Sequence, residues 1–190
     1  MAPTPEDQLA RVLADTTRLV AAVRDDQWDA PTPCTEWTVR QLVAHLVSGN
    51  TMFAEVVSRR QPAGIPGPPP VESLGSDPVA AYREAADAVL AAFRQPGAHE
   101  QQITVPFGTV PGIVALHLRI TEVLTHGWDL ARATGQEVHF PDALAEQELE
   151  FTRSKLSAIP PDRSPFGPPQ EVADDAPAID RLAACLGRRP

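Results

Sequence analysis

Apolar residues recur along much of this chain at the three- and four-residue spacing of an amphipathic helix, with proline at the borders of each run. In the first run Leu9, Val12, Leu13, Thr16, Leu19, Val20 and Val23 fall on one stripe, which predicts helix one over 6–27. The second run comprises Val39, Leu42, Val43, Leu46, Phe53 and Val56. It follows Thr38 and Gln41, a pair with the form of a capping box, so helix two is expected over about 38–58. Asp77 can cap a third helix with Pro78 at its first position and Val79, Tyr82, Ala86, Val89, Leu90 and Phe93 as its inner stripe. Pro111 starts a fourth, and Gly135 ends it after a last turn containing Arg132. A weaker fifth helix follows Pro141, with Ala145, Leu149, Thr152 and Leu156 facing inward.

Between helices two and three, QPAGIPGPPPVESLGS at 61–76 cannot be helical, because Pro62, Pro66, Pro68, Pro69 and Pro70 remove donors and clash with the preceding turn. It is expected to be a crossover loop or a flap. QQITVPF at 101–107 reads as one short extended piece, with nothing nearby to complete a sheet. After 159 the chain turns proline-rich again before AIDRLAACLG, whose Ile179, Leu182 and Leu186 can dock a short terminal helix. The expected fold is therefore all-α. An up-and-down four-helix bundle spans 1–159, with a long loop after helix two, and 160–190 is an extension packing on the bundle.

Composition narrows the function classes. The 190 residues are 43% hydrophobic, enough for one substantial core. No apolar run approaches the ~18–20 residues that span a bilayer, and MAPTPEDQLA has no signal-peptide form, so a soluble, cytoplasmic protein is expected. A net charge of −9 without any cluster of arginines opposes binding to nucleic acid or to an anionic membrane. Cys34 and Cys185 are too few for a disulfide framework and suit a reducing compartment. A homodimer is expected only because two-fold assembly is common.

Few polar residues can carry chemistry. Glu122 and His126, at i and i+4, project from one face of helix four and can converge on one ion. His45 lies near the edge of the helix-two stripe and can supply a third ligand, giving a His/Glu/His set with positions left open, as catalytic zinc sites require. Asp129 can then accept a ring N–H from His126. A plainer reading stands beside this one. Glu122 and His126 fall opposite the stripe of Ile113, Leu116, Ile120, Leu124 and Ala131, where they would form a solvent-facing pair worth a few tenths of a kcal/mol. Against it, Leu118 flanks their side and helix four is apolar around most of its circumference. Taken alone, His45 reads as a core-edge histidine bonded to a backbone carbonyl. His117 reads as packing within the apolar stripe, and His99 and His139 lie in loop-like sequence without visible partners. Cys34 can be a thiol activated at a helix N-terminus, but a small buried hydrophobe beside Trp37 is the favoured reading. Trp28, Trp37 and Trp128 read as fillers at the bundle ends. GxGxxG, P-loop, GxSxG and HExxH patterns are absent, which removes dinucleotide, nucleotide, α/β-hydrolase and standard zincin readings.

PTPCTEWTVRQLVAHLVSGN at 31–50 and THGWDLARATGQ at 125–136 resemble the DinB-like superfamily, specifically actinobacterial proteins related to mycothiol-dependent maleylpyruvate isomerase. AYREAADAVLAAF at 81–93, PFGTVPG at 106–112 and the tail pieces FGPP and DRLAACLGRRP extend the resemblance over nearly the whole chain. It implies a bundle holding a divalent metal at one end. The family's ligand pattern falls on His45, Glu122 and His126, with zinc expected first and nickel, iron or manganese also accommodated. It further implies mycothiol as co-substrate and a small electrophile as partner. The isomerase's separate C-terminal domain is expected to be missing here, which favours S-conjugation or detoxification over isomerisation. The other class of function left open is a non-catalytic metal-binding or stress-response module.

Overall fold

The computed structural model describes residues 3–35, 37–58, 70–105, 108–157 and 166–190. Helix α1 (Pro5–Ala21) opens on a capping box between Thr4 and Asp7, with Pro5 in its first turn. It stops short of the expected residue 27. Gln27 instead closes a single 3-10 turn at Asp25–Gln27: its side chain accepts from the Arg24 N–H at 3.0 Å and donates to the Thr134 carbonyl at 2.9 Å, docking the chain on the end of the fourth helix. Helix α2 (Val39–Val57) has the expected Thr38–Gln41 capping box. Helix α3 (Pro78–Phe93) is capped by the Asp77 carboxylate, which accepts from the Val79 and Ala80 N–H groups at 3.0 Å. Helix α4 (Gly112–Thr134) ends at Gly135, whose φ of 68° is the left-handed conformation that favours glycine. Helices α5 (Asp142–Leu156) and α6 (Ala178–Cys185) follow.

Two expectations about the connections are corrected. The extended piece at 101–107 has a partner: strand β1 (Gln102–Val105) pairs antiparallel with β2 (Gly108–Pro111), Ile103 opposite Val110. A hairpin needs only the segment that follows it, and here Ile103 and Val105 gain burial against α2 and α4. Of the 61–76 loop, residues 61–69 lie outside the described residues. The remainder is not free of helix, because Val71–Leu74 form one 3-10 turn just past the last proline and bury Leu74.

Helix α1 packs on α3 and α4, and α2 packs on the same two, so α1 and α2 occupy opposite corners of the bundle. Phe53 and Phe93 meet near the C-terminal ends of α2 and α3, which therefore run in the same direction. Direction alternates from α1 to α2 and from α3 to α4. Helices α5 and α6 cover α4 from outside. Trp128, buried on α4, donates its indole N–H to Asp180 of α6 at 2.6 Å, and the Ala178 N–H bonds the Asp142 carboxylate at 2.9 Å. With neighbours on several sides, α4 buries residues around nearly its whole circumference.

Candidate metal centre

The enclosure of α4 decides the fate of Glu122 and His126. Both point into the interface with α2, where His45 meets them, so the solvent-facing reading does not hold. His45 Nε2 lies 3.2 Å from Glu122 Oε2, and His126 Nε2 lies 3.8 Å from the same oxygen. The partner of His45 is thus this carboxylate and not a backbone carbonyl. One ligand atom from each of the three residues lies within 4.8 Å of the other two. Ligands at about 2.0–2.1 Å around a tetrahedral ion stand roughly 3.3–3.5 Å apart, so this donor set fits a divalent cation after small adjustments. The His126 side chain is 6% exposed, whereas those of His45 and Glu122 are 30% and 22% exposed. The cluster therefore has a closed floor and an open side.

Burial lowers the His45 pKa, against the pull of the hydrogen bond to Glu122. For Glu122 burial acts upward, but the His45 hydrogen bond and the charges of His126, His45 and Arg119 outweigh it and hold the carboxyl far below its usual range. A neutral imidazole beside an ionised carboxylate is the state in which such residues bind metal.

Surrounding residues orient the donors. His126 Nδ1 is hydrogen-bonded at 3.0 Å to Asp129 Oδ2, which turns Nε2 toward the cluster. Asp129 is fully buried and is held by Arg188 from the chain's last residues, at 3.1 Å and 3.4 Å. Trp37 does not fill a bundle end. Its ring lies 4.4 Å from the His45 ring and 5.5 Å from that of His126, centroid to centroid, and walls one side of the cluster. The Thr32 hydroxyl holds the loop before it by donating to the carbonyls of Cys34 and Trp37. Cys34 is half-buried, and its sulfur lies within 4.8 Å of ligand atoms of His126 and Asp129. That second grouping is the weaker one, because the Asp129 oxygens are already engaged by His126 and Arg188.

The other histidines stand apart. His117 does more than pack against Phe151: its Nδ1 is 2.7 Å from Glu148 Oε1. His99 has a partner after all, Glu6 at 3.2 Å, and exposed His139 lies 3.9 Å from Glu137. Sequence reasoning missed Trp37, Arg119 and Arg188 as members of the centre or its surroundings. The one available signal was Arg119, a charged residue three positions before Glu122 within an apolar helix.

Fold and centre together define a class: a helical bundle presenting two imidazoles and one carboxylate at an interior site with one open side. This chain belongs to the mycothiol maleylpyruvate isomerase N-terminal domain family, whose match spans residues 9–131 and so includes all three donors. It is 41% identical over 173 residues to an uncharacterized protein of Mycobacterium tuberculosis, found in two strains, with 90% of each chain covered. The fold is similar to crystal structures of the mycothiol-dependent maleylpyruvate isomerase and of a histidine-to-alanine variant of that enzyme. The TM-scores are 0.62 and 0.64 at 16% identity, covering 81% of this chain and 70% of those.

Proposed function

We propose that this protein is a divalent-metal-dependent enzyme that uses a low-molecular-weight thiol of the mycothiol type against a small electrophile, as an S-transferase or an isomerase-like catalyst. The observation that carries the reading is the His45, Glu122 and His126 donor set with its closed floor and open side. Family membership supports the thiol. A divalent cation at these donors, zinc first with nickel, iron or manganese as alternatives, supplies positive charge that favours the thiolate form of a thiol near neutral pH.

The chain's own residues then have definite tasks. His45 and His126 offer neutral nitrogens, and Glu122 offers one negative charge. Two neutral donors and a single carboxylate leave a divalent site with net positive charge, which a thiolate can share. Asp129 keeps the His126 ring in one orientation, and Trp37 excludes water from the side it covers. No side chain is needed as nucleophile, because the sulfur comes from the co-substrate. A cytoplasmic setting, where small thiols are kept reduced, suits this chemistry.

The test uses cobalt-substituted protein, whose absorption reports the ligands around the ion. Mycothiol should change that spectrum. With maleylpyruvate or an alkylating electrophile added, the protein should consume substrate, and His45→Ala should lose both responses. A spectrum indifferent to the thiol, with no reaction toward either electrophile, would assign the protein to the non-catalytic metal-binding or stress-response class.

A further inference from the structure

His126 is held from behind by a relay of two further side chains. Its Nδ1 rests on Asp129 Oδ2, and Asp129 rests on a residue 59 positions further along the chain. Arg188 meets both carboxylate oxygens, Nη2 to Oδ2 at 3.1 Å and Nε to Oδ1 at 3.4 Å, and its third nitrogen donates to the Leu186 carbonyl at 2.9 Å. The Asp129 side chain is fully buried and that of Arg188 is 10% exposed. Among the described residues Arg188 is the one arginine or lysine paired with Asp129, so it supplies the counter-charge that burial of the carboxylate demands. Oδ2 is shared by the imidazole and the guanidinium. A two-point hold on the carboxylate therefore fixes how Oδ2 faces the ring, and with it the direction of Nε2.

The fold delivers Arg188 by a defined turn. Past the end of α6, the Gly187 N–H donates to the Ala184 carbonyl and the Arg188 N–H to the Ala183 carbonyl, each at 3.0 Å, which are the paired bonds of a Schellman motif. That motif needs a left-handed residue, and Gly187 has a φ of 87°. A Cβ at Gly187 would also stand 3.0 Å from the Gly167 Cα, so the absence of a side chain lets the turn seat against that segment. Helix α6 is fixed to α4 on either side of Asp129, because Asp180 accepts from Trp128 at 2.6 Å and from Arg132 at 3.2 Å. These bonds already dock the helix. Arg188 adds a fork directed at the one carboxylate that backs a metal donor, from beyond the 9–131 stretch that the family match spans.

We propose that Arg188 is a positioning residue of the metal centre: through Asp129 it fixes the His126 ring, so that docking of the turn at 186–188 sets metal affinity. The inference rests on the reading of His45, Glu122 and His126 as a metal site, and adds to it a control from outside the four bundle helices. Linkage makes the effect reciprocal. A turn that strengthens metal binding is itself held more firmly when metal is bound.

The experiment measures zinc affinity of the full chain by competition with a chromophoric chelator, for the wild type, Arg188→Ala, Arg188→Lys and Gly187→Ala. Arg188→Ala should weaken zinc by about tenfold or more, and Arg188→Lys by less, because lysine restores the charge without the fork. Gly187→Ala keeps every side chain of the relay but strains the turn that delivers Arg188, and should weaken zinc as well. In the metal-free protein, the Nδ1 proton of His126 should give a slowly exchanging magnetic resonance signal that is lost in folded Arg188→Ala. On the wild type, the Arg188 amide should exchange with solvent several-fold more slowly once zinc is bound, and that measurement decides the matter if the variants fail to fold. A residue that only staples α6 behaves otherwise: the melting temperature falls in Arg188→Ala, while zinc affinity and the His126 signal stay as in the wild type. That result overturns the proposal alone, as does an Arg188 amide indifferent to zinc. A wild type that binds no zinc would overturn the metal reading and this proposal with it.

Discussion

Glu148 and Glu122 each meet histidine at an interface of α4, on roughly opposite sides of that helix. Glu148 is fully buried and both its oxygens are engaged inside the protein: Oε1 lies 2.7 Å from His117 Nδ1 and accepts from Gln147 at 3.2 Å, and Oε2 accepts from the Thr121 hydroxyl at 3.0 Å. Glu122 turns one oxygen to two imidazoles, and its other oxygen takes no hydrogen bond among the described residues. The first cluster joins α4 to α5. The second has more donor capacity than the protein consumes, and it faces solvent on one side. The same residue types thus make a structural clip or a candidate metal centre according to how many of their lone pairs are already taken.

That contrast can be broken by mutation. The largest effect is expected from Glu122→Ala, which should weaken zinc by roughly 100- to 1,000-fold, about 3–4 kcal/mol for the loss of one charged ligand. The melting temperature of the metal-free protein should change little. Competition with a chromophoric chelator measures the first and thermal denaturation the second. Glu148→Ala should invert the pattern. It leaves His117 and the Thr121 hydroxyl without their partner and a void at a fully buried position, destabilising the fold by about 3 kcal/mol while metal binding stays normal. Denaturant unfolding of the two variants side by side would show whether the clusters differ in kind.

Burial in the interior of the bundle also has a pH signature. Tyr82 is the chain's one tyrosine, and its pKa is raised to about 12 in the fold. A group that holds its proton more tightly when folded contributes fully below its unfolded pKa of about 10 and loses that contribution as pH rises toward 12. Stability should therefore fall by up to about 2–3 kcal/mol between pH 10 and 12, and Tyr82→Phe should flatten that slope. Absorbance of the single phenolate, followed with unfolding, tests it without ambiguity. The smallest expected effect concerns orientation. Asp129→Asn keeps shape but weakens the hold on the His126 ring, and should reduce zinc affinity by about 10- to 100-fold with secondary structure intact. An Asp129→Asn protein with wild-type affinity would show that the ring is held by packing alone.

The helices were legible because their borders are written in local chemistry: Thr38 with Gln41, Asp77 with Pro78, and Gly135 after Arg132. The end of α1 was not, since Val23 continues the apolar stripe and the stop depends on Gln27 reaching Thr134, a contact 107 residues away. The hairpin escaped because its pairing depends on burying Ile103 and Val105 against helices that the local pattern does not reveal. At the centre, spacing alone placed Glu122 and His126 together, while a single helical wheel put them on the exposed side. Only the packing of α2, α5 and α6 around α4 resolves that; periodicity offered His45 as a possible third member, and the resemblance put it ahead of a plain core-edge histidine. Trp37 and Arg188 were out of reach for the same reason, as they arrive from a loop and from the chain's last turn.

The most direct test is metal content per chain, by inductively coupled plasma mass spectrometry, on protein purified without a polyhistidine tag. Wild type, His126→Ala and Glu148→Ala should be measured in parallel. The account predicts near-stoichiometric divalent metal in the wild type and in Glu148→Ala, and its loss in His126→Ala. Metal absent from the wild type even after reconstitution, or retained equally in His126→Ala, would contradict it and leave both clusters as structural pairs.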